Sequence, residues 1–193
     1  MRLVAYYLDG YLAFITYRTI KGQLINDAKT VDTDILLTSI YKASYYSMII
    51  VLANFLNPNR DSIDLKYLSN LVFEIRTELP QDKFTLFKEV FNDIDLFITK
   101  VSDVQIKIKT LRDNVIAHID RINITNPDKL DEDSDLLMSD IEDTYHTIRN
   151  FLIRIGKLID QEKGLDVPLE LLSITEPMVV KKVLRLYDML IQS

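Results

Sequence analysis

KFTLFKEVFNDIDLFITKVSDVQIKIKTLRDNVIAHIDRI, residues 83–122, decides the fold. Phe87, Phe91, Ile94, Ile98, Val101, Val104, Ile108, Leu111, Val115, Ile119 and Ile122 recur at steps of three and four, the period of one helical face. At about 1.5 Å per residue an unbroken helix of this length would approach 60 Å. That overhangs any partner a small domain supplies, so a break inside it is expected. The same period governs residues 134–162 through Leu137, Ile141, Tyr145, Ile148, Phe151, Ile155, Leu158 and Ile159, with Gly164 placed to end that helix.

Outward from this centre, proline punctuates the chain at 58, 80, 127, 168 and 177. Residues 31–55 read as a helix that turns apolar on several sides near its end, stopped by Asn57-Pro58-Asn59-Arg60. A shorter helix follows at about 65–76, with Leu68, Leu71, Val72 and Ile75 on one face. Pro177 is placed to open a last helix through Met189. The first 28 residues are the ambiguous segment. Asp9-Gly10 between two apolar runs is a hairpin signal, but no other segment offers strands to pair with it, and an isolated hairpin is marginal. A helix through Tyr7, Tyr11, Phe14 and Arg18 is therefore expected. The polar loop at 123–133 ends in acidic residues, yet it lacks the glycine and terminal glutamate of a calcium loop and reads as solvated.

The composition agrees with an all-α class. In 193 residues there are 4 Gly and 5 Pro, too few for a turn-rich all-β fold. The length suits one domain. We expect an antiparallel bundle of five to six helices over residues 1–164, with residues 165–193 a C-terminal extension whose helix packs on the same domain. The zero cysteine count excludes disulfides, zinc ribbons and thiol catalysis. The apolar run Ser47–Leu56 is too short to span a bilayer, and the start of the chain lacks a signal-peptide cleavage site, so a cytoplasmic location and no membrane partner are expected. A net charge of -6 argues against a generally basic, nucleic-acid-coating surface.

Phosphate-cradling glycine loops and the Gly-x-Ser-x-Gly elbow are missing. His118 and His146 are the whole histidine supply, which is too few for a zinc helix or a di-iron bundle, so no metal and no cofactor are expected. What remains is Leu111-Arg112-Asp113-Asn114-Val115-Ile116-Ala117-His118-Ile119-Asp120. An imidazole titrating near neutrality can take a proton from a ribose 2′-hydroxyl or give one to a leaving oxygen. A guanidinium offers forked donors to a phosphate. Asp113 could orient either group, and Asn114 shares a helical face with His118. Lys107, Lys109, Arg112 and Arg121 outnumber Asp113 and Asp120 by two, a local excess that favours a phosphate backbone. Against this, six residues on a regular helix separate Arg112 from His118 by about 9 Å of rise and about a third of a turn. A histidine beside Ile119 is also compatible with a packed core role.

The motif Leu-Arg-Asp-Asn-Val-Ile-Ala-His-Ile-Asp resembles the HEPN superfamily signature, in which a polar residue follows Arg and four to six residues separate Arg from His. Its Ala-His-x-Asp ending is similar to the AbiU-type abortive-infection branch. Ser47-Met-Ile-Ile-Val-Leu-Ala-Asn-Phe-Leu-Asn and Asp61-Ser-Ile-Asp-Leu-Lys-Tyr-Leu resemble that branch's first long helix and the helix after it. The resemblance covers about residues 30–158. It implies a bundle that forms a homodimer with the Arg and His of both protomers facing one cleft, and a metal-independent endoribonuclease of a defence or toxin–antitoxin system. Arg112 would stabilise the phosphate, His118 would transfer protons and Asp113 would support them; Asn114 has no firm family role, and Lys109, Asn114 and Arg121 are candidate RNA contacts from local charge and helical face alone. Tyr145 and His146 are expected as a core tyrosine and a surface histidine. RNA and a cognate antitoxin protein are the implied partners. The alternative is a non-catalytic helical dimer that binds a partner protein or a nucleotide through the same surface.

Overall fold

The structure, a computed structural model, describes residues 2–27, 35–56, 65–74, 76–119, 136–159 and 166–191. The side chains of residues 2, 68, 71, 114–119, 159 and 166–175 lie outside that description, as do the expected stop at 57–60, the loop at 123–133 and the Gly164 cap. Seven helices and no strand occur among the described residues: α1 (Arg2–Asn26), α2 (Ile35–Leu56), α3 (Leu65–Glu74), α4 (Gln81–Lys100), α5 (Ser102–Ile119), α6 (Met138–Ile159) and α7 (Asp166–Ile191). The expected count of five to six becomes seven because the long central stripe divides at Val101. There the backbone leaves the helical well (φ −96°, ψ 20°), although the Val101 N–H still donates to the Phe97 carbonyl at 2.9 Å. The stripe survives the division. Phe87, Phe91 and Ile94 on α4 and Ile108 and Leu111 on α5 are all buried.

Helix α1 crosses α2 antiparallel, with Tyr6 against Phe55 near one end and Tyr17 stacked on Tyr41 at 4.7 Å near the other. Between them lies Gly10, where a Cβ would come within 2.6 Å of the Val51 Cβ and 2.8 Å of the Tyr145 hydroxyl. The Asp9-Gly10 pair that signals a turn in sequence is thus a helical close approach. Tyr145, from α6, fills the space beyond. Its hydroxyl donates to the Met48 carbonyl at 3.0 Å, its own carbonyl accepts from the Tyr7 hydroxyl at 3.1 Å, and its ring packs on Tyr7, Tyr11 and Phe14. Burial pushes the Tyr145 and Tyr7 phenols well above their ordinary range, so both stay neutral donors.

Helix α2 is 22 residues long and apolar enough to cross a membrane by length and composition alone. Instead, Tyr41, Tyr45, Met48, Ile49, Leu52, Phe55 and Leu56 are buried in the bundle, as an all-round apolar helix requires. Helix α6 packs antiparallel on α4 through Phe97 and Phe151, with Asp93 paired to Arg154 at 2.8 Å outside.

Two expectations are corrected here. Leu137 does not join the α6 stripe and is 60% exposed, because the helix begins one residue later. Leu137 is the residue at the helix entrance: its N–H donates to the Asp140 carboxylate, its carbonyl accepts from Asp140 N–H, and neighbouring Leu136 is buried instead. Pro177 does not open the last helix but sits inside α7, which starts eleven residues earlier. An interior proline costs a helix about 3 kcal/mol. Packing offsets that cost, since Val179, Val180, Val183, Leu190 and Ile191 lie against the core and Tyr187 is buried within it.

Helix α7 runs parallel to α1, in contrast to the antiparallel pairs, and two polar clamps fix it there. Glu176 accepts from the Arg18 guanidinium and, at 2.9 Å, from the Tyr11 hydroxyl; Arg18 also pairs with Glu142 on α6. About 11 residues on, the Tyr187 hydroxyl donates to Asp27 at 3.0 Å. Burial, reinforced by the carboxylate partner in each case, pushes both Tyr11 and Tyr187 up to about 12.

Two measurements check this architecture. Gly10→Ala should destabilise the chain by about 1–3 kcal/mol through overpacking. Gly22→Ala, with open space around it, should be neutral or gain up to about 1 kcal/mol; denaturant melts of the pair separate crowding from helix propensity. Because the folded pKa of Tyr11 and Tyr187 lies above the unfolded value near 10, their contribution is complete below about pH 10. It is lost as pH rises through about 12. Tyrosinate absorbance with circular dichroism should show stability falling in that window, and the fall should shrink in Tyr11→Phe/Tyr187→Phe.

Candidate functional site

The motif lies on α5, and α5 is positioned by α2. Helix α2 runs to Leu56. The Gln105 side-chain amide donates to the Leu56 carbonyl at 2.6 Å. About one and two turns further along, Ile108 and Leu111 are buried. This fixes the rotation of α5 and brings Arg112, the residue after Leu111, to the edge of the buried stripe. Its side chain is 21% exposed against 54% for Asp113.

Arg112 and Asp113 are brought together. Nε and Nη2 of the guanidinium both donate to one Asp113 carboxylate oxygen, at 2.9 and 2.7 Å. The pair uses two of the five guanidinium donors and holds the plane of the fork in one orientation. Such a fork, half-buried and always charged, is suited to receive a phosphate oxyanion on its remaining N–H groups. Lys109 is exposed one turn earlier on the same helix, at the spacing that places it near Arg112 and Asp113.

The remaining sequence-derived residues are placed only in part. Helix α5 continues to Ile119, so Asn114 and His118 belong to the same unbroken helix as Arg112, but their side chains lie outside the described residues. Arg121 lies outside them altogether. The helical backbone keeps the axial offset of Arg112 and His118 at about 9 Å and their angular offset at about a third of a turn. Tyr145 is a core residue, fully buried. His146 is a surface residue, its side chain 44% exposed, with Nε2 3.8 Å from Glu142 and its ring edge-on to Tyr11. No group of three His, Asp or Glu side chains gathers for a metal ion among the described residues.

One polar group has no forerunner in the sequence reading: Arg18, Glu142, Glu176 and Tyr11, drawn from α1, α6 and α7. The α1 members lie more than 120 positions from the two glutamates they bind, so no local spacing reveals the group. An arginine on the inner face of α1 was the single available signal.

No curated protein and no solved structure gives a significant match to this chain. The family model of the AbiU2 HEPN domain matches residues 35–170, which is 136 of the 193 positions and takes in α2 to α6 with the whole Arg112–His118 motif. On that match, with an all-helical bundle carrying the motif, the chain belongs to the AbiU2 family of abortive-infection-associated HEPN domains.

Proposed function

We propose that this chain is a metal-independent endoribonuclease that acts as a homodimer in a cytoplasmic defence or toxin–antitoxin system. The observation that carries the reading is the oriented Arg112–Asp113 fork on α5, six residues before His118 on the same helix and within the family match.

Arg112 would bind a non-bridging oxygen of the scissile phosphate and neutralise the charge that grows there in the transition state. A neutral His118 would accept the ribose 2′-hydroxyl proton as the 2′-oxygen attacks phosphorus. A protonated His118 would donate to the departing 5′-oxygen, so that the P–O5′ bond breaks with the proton balanced. The products are a 2′,3′-cyclic phosphate and a 5′-hydroxyl. One helix holds its Arg and His too far apart along the axis for easy convergence on one phosphate. Two copies facing each other supply a base and an acid at once, which is the physical reason for expecting a dimer. Asp113 would keep the fork in plane, and Lys109, Asn114 and Arg121 would hold flanking phosphates. The cluster needs no cofactor for these steps, and a cognate antitoxin protein would be the partner that restrains it.

The test is incubation of the purified chain with structured and unstructured RNA in excess chelator, beside Arg112→Ala and His118→Ala. We expect cleavage leaving 2′,3′-cyclic ends, reduced by about 10²–10⁴-fold in His118→Ala and by a comparable factor in Arg112→Ala, with the helical circular dichroism of both variants unchanged. Absence of cleavage, or cleavage indifferent to both substitutions, would exclude the nuclease and leave a helical dimer that binds a partner through this surface.

A further inference from the structure

Helix α7 shows a second feature, on the face turned away from the bundle. Val179, Val180, Val183 and Tyr187 point to the core, and the Glu176 and Tyr187 clamps hold the helix in that rotation. The opposite face is therefore fixed outward. It carries Lys181, Lys182 and Arg185, all exposed, between Met178 at 53% and Met189 at 71% exposure. Asp188 is the acidic residue beside them, so the face keeps a positive excess of two on a protein of net charge -6. The contrast with α4 is instructive, since its exposed residues include Asp82, Glu89, Asp93 and Asp95 against Lys88 and Lys100.

We infer that the outer face of α7 is a docking surface for the sugar–phosphate backbone of single-stranded RNA, separate from the Arg112 site. The inference rests on the nuclease reading for its choice of polyanion. Charges further apart than about 8–10 Å are largely screened at physiological salt, so a polyanion responds to local clusters and not to the net charge. It is repelled along α4 and attracted along α7. Lys181 to Arg185 span about 6 Å of axis, enough to meet about two successive phosphates of a strand. An anionic membrane is the weaker fit. An interfacial helix inserts a continuous apolar face, whereas the apolar face of α7 is taken by the core and its outer face offers two separated methionines without an aromatic residue. Most of α7 also lies beyond the family match at residues 35–170, so this surface is an addition to the catalytic bundle.

The test uses the full chain carrying His118→Ala, in excess chelator, with and without Lys181→Gln/Lys182→Gln/Arg185→Gln. Anisotropy of a labelled single-stranded RNA is followed across a salt series, beside flotation with phosphatidylserine vesicles. The three positions are exposed and glutamine is a good helix former, so the fold should persist by circular dichroism. We expect the triple substitution to weaken RNA binding at least about tenfold at low salt. The log–log salt slope should become shallower by about 1.4, the value for two single-strand phosphate contacts. Equal affinity and slope in both chains would overturn the inference and leave the cleavage reading to its own assay. RNA bound by neither chain would overturn it as well. Vesicle binding lost in the variant, with RNA binding unchanged, would overturn it in favour of a membrane surface. Cleavage by the chain with His118 intact decides the nuclease reading independently of all three outcomes.

Discussion

The close crossing of α1 over α2 at Gly10 is the constraint from which the remaining packing follows. Only a residue without a side chain lets the α1 backbone approach Val51 and the Tyr145 hydroxyl this closely. Because the two helices approach there, Tyr145 can reach across to the Met48 carbonyl while Tyr7 closes on the Tyr145 carbonyl from the other side. Three helices are thereby joined through two buried hydrogen bonds whose polar atoms would otherwise each be costly to bury. The aromatic rings around them then have little freedom. Tyr7, Tyr11, Phe14 and Tyr145 pack with neighbouring centroids 5.5–6.1 Å apart, in stacked, tilted and edge-on arrangements that aromatic pairs favour.

That arrangement passes through α2 to the motif. Helix α2 is held on one side by α1, and its Leu56 carbonyl receives Gln105 on the other. The first turn of α5 is fixed by that bond, and Arg112 follows two turns later on a stripe fixed by Ile108 and Leu111. The orientation of the Arg112 fork is thus a remote result of helix packing near the start of the chain. Nothing between Gln105 and Asp113 alone would set it.

Much of this was legible in sequence, for identifiable reasons. The three- and four-residue steps from Phe87 to Leu111 gave the buried face of α4 and α5, since helical period depends only on local geometry. The division at Val101 was legible as a length argument, but its position was not, because one residue departing from helical torsion leaves no compositional trace. Leu137 and Pro177 were misread for opposite reasons. Leu137 fits the period but lies just before the first helical turn. Pro177 has the chemistry of a helix start, and tertiary contacts carry the helix through it. In the site, the Arg112–Asp113 pair was legible because its members are adjacent. The Arg18–Glu142–Glu176 group was not, because only the fold brings it together.

The family match and the physical core do not have the same borders. Residues 35–170 contain the motif, but the rings of Tyr7, Tyr11 and Phe14 that pack on Tyr145 come from α1, which lies before them. A chain trimmed to the matched segment would uncover the tyrosine of α6 and leave the inner side of α2 facing water. Similarity therefore marks the portion of the molecule that a lineage shares, while the buried core extends to a helix which that similarity does not reach. Any division of this protein into a motif-bearing module and a dispensable N-terminal arm would cut through the packing of α1 on α2 and Tyr145.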